Sequence, residues 1–72
     1  MKYELGRCLL EDRLLESGKT KDELARDLLY KPERLSDYIE RKRVMPLQTA
    51  LSIADTLGCE VSELYELIPN RR

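Results

Sequence analysis

The sequence predicts an all-α domain built from five short helices. Three observations lead there. Apolar residues recur at three- and four-residue spacings in five separate stretches, the period of helices that each bury one face. Helix breakers (Gly18, Pro32, Pro46, Gly58 and Pro69) punctuate the chain between or after those stretches. No stretch combines strict alternation with β-branched enrichment, so strands are not expected. A chain of 72 residues holds one small domain, placed at residues 1–70, with 71–72 as a short basic tail.

The first helix is read from Tyr3 to Ser17, with Leu10, Leu14 and Ser17 on one stripe and Leu5 and Leu9 beside it. Gly18 ends it, because glycine takes a positive φ at little steric cost. Thr20 opens the second helix, about Lys21 to Leu28. Its hydroxyl can accept from an amide in the first turn while Glu23 reaches back to the Thr20 amide, a capping box. Pro32 biases Lys31 toward an extended backbone, so the second helix stops before it. The same proline suits the first position of a third helix, Pro32 to about Glu40, with Leu35, Tyr38 and Ile39 inward. Arg41, Lys42, Arg43 and Pro46 mark an exit loop. The fourth helix, Leu47 to Leu57, turns Ala50, Ile53, Ala54 and Leu57 inward and ends at Gly58. A fifth, about Val61 to Leu67, places Val61, Leu64, Tyr65 and Ile68 on one side, and Pro69 blocks its extension.

Composition removes several function classes. The chain has 13 basic and 14 acidic side chains and a net charge of -1, which argues against non-specific coating of nucleic acid. Charge is nevertheless uneven. Residues 19–43 carry eight bases against six acids, whereas residues 44–70 hold four acids and no base. Any anion-binding surface therefore belongs to the middle third. With no histidine, no glycine-rich loop and only Cys8 and Cys59 as isolated thiols, neither catalysis nor a metal site nor a cofactor is expected. No apolar run approaches a membrane span, no signal-peptide pattern opens the chain, and two cysteines make no disulfide framework, so a reduced cytoplasmic setting is expected.

Certain residues also carry a family likeness: Thr20-Lys21-Asp22-Glu23-Leu24-Ala25, Leu28, Leu35 to Ile39, Lys42-Arg43, Leu47-Gln48-Thr49, Ile53 to Gly58, and Glu63-Leu64. In that order and spacing the chain resembles the phage Cro and repressor type of helix-turn-helix domain, the XRE family, over about residues 5–67. The resemblance implies a compact five-helix, lambda-repressor-like bundle with a central helix-turn-helix. It implies a DNA-binding transcription regulator, a small phage or bacterial repressor, that works as a homodimer on a palindromic operator in double-stranded DNA. Its third helix would enter the major groove while the second crosses the backbone.

Carried over by position, the resemblance puts Pro32, Glu33, Arg34 and Asp37 forward as base-reading candidates. Lys19, Lys21, Lys31, Arg41, Lys42 and Arg43 become the phosphate-contact candidates. The chemistry agrees on several of these. Arg34 could address guanine, Glu33 or Asp37 could accept from the cytosine amine, and Pro32 has only a thymine methyl or nothing to touch. Tyr65, Leu67 and Ile68 are the dimer-contact candidates, or else they seal the small core. The family glycines of the turn and of the exit loop are here Leu29 and Arg41, and Lys31 replaces the usual hydroxyl cap of helix three. Glu33, Asp37 and Glu40 are acids on the helix meant to meet DNA, and together with the charge of -4 over residues 44–70 they motivate a rival reading that uses the acidic carboxyl third. In it the shell of the fold serves as a protein-interaction module, an antagonist or antidote of another regulator, and its partner is a protein.

Overall fold

Both ends of the chain depart from the all-α expectation. The computed structural model describes residues 2–70, and the Arg71–Arg72 tail lies outside the described residues. In chain order the elements are strand β1 (Lys2–Cys8), helix α1 (Leu10–Ser17), α2 (Lys21–Leu28), α3 (Pro32–Ile39) and α4 (Leu47–Leu57), then a 3-10 turn (Val61–Glu63) and strand β2 (Tyr65–Asn70). The fold is thus mixed α/β, with four helices flanked by a two-stranded antiparallel sheet. The expected five-helix bundle is corrected at two places. Helix one begins at Leu10 rather than Tyr3, and the expected fifth helix is one 3-10 turn that passes into a strand.

The reason is pairing between segments remote in sequence. Tyr3 faces Pro69, Glu4 faces Ile68, Leu5 faces Leu67 and Cys8 faces Tyr65. Side chains two apart share a face of a strand, so Tyr3, Leu5 and Cys8 line up with Tyr65, Leu67 and Pro69 on one apolar side. A register shift between Leu5 and Cys8 adds one residue to β1, a bulge that keeps both apolar sets on the same side. Gly6 lies at this bulge. A Cβ there would fall 2.6 Å from Glu66 Oε1 and 3.1 Å from Glu66 Cβ and Ile68 Cδ1, so the side chains of Glu66 and Ile68 fill the space a larger residue would need. Pro69 is tolerated because each strand of a two-stranded sheet has a free edge.

The helices follow the local signals. At α2 the Thr20 hydroxyl accepts from the Glu23 amide at 3.1 Å, and Glu23 Oε1 accepts from the Thr20 amide at 3.1 Å, so the capping box forms. Each helix is followed by a left-handed residue: Gly18 (φ 75), Leu29 (φ 59), Arg41 (φ 63) and Gly58 (φ 70). The next residue then closes the end, as when the Tyr30 amide donates to the Ala25 carbonyl at 2.8 Å and the Lys42 amide to Asp37 at 2.8 Å.

The core takes one fully buried side chain from each helix and one from beyond α4: Leu10, Leu24, Leu35, Ile53 and Leu64. Each contributes about 1.5–3 kcal/mol by leaving water. Two hydrogen bonds root the sheet in this core. The Leu9 amide donates to the Leu64 carbonyl at 2.8 Å, and the Met45 amide donates to the Tyr65 hydroxyl at 3.2 Å. No helix among the described residues is long and apolar enough to cross a membrane.

Candidate nucleic-acid interface

The helix-turn-helix unit is α2, the turn Leu29–Tyr30–Lys31, and α3. Its geometry comes from three local devices. The capping box starts α2, Leu29 in the left-handed region turns the chain, and Pro32 starts α3 after an extended Lys31 (φ -77, ψ 139). Leu35 and Tyr38 hold α3 against the core, which leaves residues 33, 37 and 40 on its outward side by helical spacing. Glu33, Asp37 and Glu40 therefore share one face, and all three are acidic.

The cations around this face are mostly engaged. Lys19 Nζ lies 2.5 Å from Asp27 Oδ2, and Lys21 Nζ donates to Ser36 Oγ at 2.6 Å. Lys42 Nζ stands 3.6 Å from Glu40 Oε1 and Arg43 Nε 3.8 Å from Asp37 Oδ2. Lys31 and Arg41 are exposed and form no ion pair among the described residues. Lys19 and Lys21 border one groove of about 410 Å³ with Ser36, Ile39 and Glu40, so two of the predicted phosphate contacts do lie together. The Lys42 and Arg43 amides both donate to the Asp37 carbonyl, at 2.8 and 3.3 Å, which folds the exit loop back onto α3. Exposed pairs of this length are worth only about 0–1 kcal/mol, so these cations exchange partners readily.

The base-reading candidates separate. Glu33 is exposed in the first turn, Asp37 is half-buried beside Arg43, and Pro32 is half-buried at the helix start. Arg34 is held on the flank of α3. Its guanidinium carbon sits 4.1 Å above the Tyr30 ring, Nε donates to the Tyr38 hydroxyl at 3.2 Å, and Nη2 donates to Thr49 Oγ1 at 3.1 Å. The signal in the sequence for this arrangement is the four-residue spacing of Tyr30, Arg34 and Tyr38. Thr49 carried no such hint, since only tertiary packing sets α4 beside α3.

The dimer-contact candidates also divide. Leu67 and Tyr65 lie on the apolar side of the sheet, whereas Ile68 lies on the other with Glu4. Leu67, Leu5, Val44, Leu47, Ala50 and Val61 line a groove of about 490 Å³, and four of them (Leu5, Val44, Leu47 and Leu67) are large apolar side chains open to solvent. Val44 and Leu47 escaped the sequence reading, although an apolar run beside Pro46 in an exit loop was visible. Among the described residues no three His, Cys, Asp or Glu side chains gather as a metal site, and Cys8 and Cys59 are free thiols.

Comparison with known proteins agrees with this geometry. The chain is 37% identical over 67 residues to the SPbeta prophage-derived uncharacterized HTH-type transcriptional regulator YopS of Bacillus subtilis (strain 168), covering 92% of this chain and 90% of that relative. A profile of the Cro/C1-type HTH DNA-binding domain matches residues 10–70, from the first residue of α1 to the last of β2, so that β1 alone precedes the matched segment. With a helix-turn-helix unit whose α3 turns an open face to solvent, this chain belongs to the Cro/C1-type helix-turn-helix DNA-binding family.

Proposed function

We propose that the protein is a sequence-specific, double-stranded DNA-binding transcription regulator that represses by occupying an operator with α3 in the major groove. The observation that carries this reading is the open outward face of α3. Leu35 and Tyr38 fasten that helix to the core, while Lys31 and Glu33 stand open to solvent and Asp37, half-buried, faces outward beside Arg43 of the exit loop. Glu33 and Asp37 offer acceptors for the cytosine amine, so the half-site should contain cytosine on the contacted strand. Lys31 and Arg41 supply phosphate contacts directly, and Lys19, Lys21, Lys42 and Arg43 join when DNA phosphates replace their carboxylate or hydroxyl partners.

The working unit in this proposal is a homodimer on a palindromic operator, with two half-sites about one helical turn apart. Leu67 and Tyr65 from the sequence reading, joined by Leu5, Val44 and Leu47, form the face proposed for the second copy. Sedimentation of the chain and of Leu67→Glu at micromolar concentration tests it. A monomeric parent chain, free and on DNA, removes the dimer.

Selection of bound sequences from random double-stranded DNA tests the function, with binding to the selected fragment measured at two salt concentrations. A palindromic consensus and salt-sensitive binding are expected. An absence of binding at low salt refutes the DNA reading. The acidic face of Glu33, Asp37 and Glu40 favours the second reading, a protein-interaction module, which predicts that outcome.

A further inference from the structure

We propose that Arg34 is a positioning residue of the recognition helix, setting the attitude of α3 toward the turn and α4, and not a reader of bases. The inference rests on the DNA-binding reading above and names how that site is built. Arg34 touches three separate places at once. Tyr30 belongs to the helix-turn-helix turn, Tyr38 lies one turn further along α3, and Thr49 sits in the first turn of α4. Tyr38 is 2% exposed and Thr49 3%, so the exposed guanidinium of Arg34 is tied by two bonds to side chains that are themselves fixed in the core.

The chemistry of the guanidinium makes the assignment specific. A bidentate guanine contact needs two parallel N–H groups free on one edge of a guanidinium that can reach outward. Here the Nε–Nη2 edge is committed to Tyr38 and Thr49, and one face of the plane is covered by the Tyr30 ring. Reading a guanine with the remaining Nη N–H groups would require swinging the side chain away from these three contacts. Helical position agrees. Glu33, Asp37 and Glu40 define the outward face of α3, and Arg34 lies one residue round from it, on the side where α4 packs. A lysine could keep the charge but not the flat fork or the two simultaneous bonds.

The test uses the whole chain and the DNA site selected by the parent protein, together with every single base-pair variant of that site. Arg34→Lys, Tyr38→Phe and Thr49→Val are compared, and thermal melting verifies folding. All three should weaken binding in the same direction, Arg34→Lys by about tenfold, on every site variant alike, so that the base-preference profile is unchanged. Combining Arg34→Lys with Thr49→Val should add little, because both remove the same bond. A profile relaxed at one base pair in Arg34→Lys, with Tyr38→Phe and Thr49→Val silent, overturns the proposal and makes Arg34 a reader. Full binding by Arg34→Lys overturns it too, since charge alone would then suffice. If the parent chain selects no DNA, the DNA reading fails by itself. The orientation of α3 against α4 in Arg34→Lys, from residual dipolar couplings, then decides the clamp, and an unchanged orientation refutes it. Should Arg34→Lys fail to stay folded, the same couplings are read from Thr49→Val, which removes only the bond to α4, and an unchanged orientation there refutes the clamp.

Discussion

Replacing Leu29 by glycine should stabilise the protein, because Leu29 occupies the left-handed position after a helix that glycine ordinarily fills. Leu29 follows α2 with φ 59 and ψ 36, and its side chain is 93% exposed. A Cβ in the left-handed region meets the following carbonyl and costs about 1–2 kcal/mol, which glycine relieves. The unfolded chain gains freedom from the same change, which gives back about 0.4–1 kcal/mol. Little packing is lost from so exposed a side chain. The balance is a gain of about 0.5–1 kcal/mol, or a rise in Tm of about 2–8 °C for a domain of this size. Urea and thermal unfolding of Leu29→Gly and Leu29→Ala measure it. Alanine keeps the Cβ and should leave the midpoint nearly unmoved. A lower Tm for Leu29→Gly, or an equal rise for both, would refute the strain argument and mean that the leucine side chain has a packing role in the turn.

Thr20→Ala removes the hydroxyl half of the capping box and should lower stability by about 1 kcal/mol in urea unfolding, with Glu23→Ala less than additive to it. Glu40→Gln frees Lys42 from its carboxylate 3.6 Å away, so binding to non-specific DNA should tighten at low salt, while Lys42→Ala should flatten the slope of log K against log salt by about 0.9; an unaltered slope in Lys42→Ala would show that Lys42 does not reach phosphate. Burial pushes the Cys8 thiol up, against hydrogen bonds at Leu10 and Tyr65 that pull it down, and burial pushes the Tyr65 phenol up as well. A raised folded value means that the neutral form is favoured, so this stability is complete below about pH 8.5 and is lost as pH rises through the folded value. The urea midpoint should therefore fall as pH rises past the ordinary thiol range, and less so in Cys8→Ala; a rising midpoint there would contradict the sign.

Several of these features were legible because their causes are local. The capping box joins residues three apart, Gly18 and Gly58 stop their helices within one turn, and Pro32 acts on its immediate neighbours, so α2 and α4 run where the sequence placed them. The strands were not legible for the opposite reason. Tyr3 and Leu5 fit a helical stripe beside Leu9 as well as they fit the side of a strand, and their partners Pro69 and Leu67 lie more than 60 residues away. The candidate site behaved likewise. The cluster of cations was plain in the sequence, but which of them are occupied by Asp27, Ser36, Asp37 and Glu40 was not.

The sequence by itself determined the helix-turn-helix unit, since caps, turn and apolar spacing act over three or four residues and hold whatever surrounds them. It also determined the family, through motifs whose order and spacing need no coordinates. Only the tertiary structure decided that the two ends pair as a sheet, that Leu5, Val44, Leu47 and Leu67 form an open apolar face, and that Arg34 turns toward Thr49. Each of those outcomes depends on contacts between residues distant in the chain, and such contacts form only after the packing of Leu10, Leu24, Leu35, Ile53 and Leu64 has fixed where the elements lie.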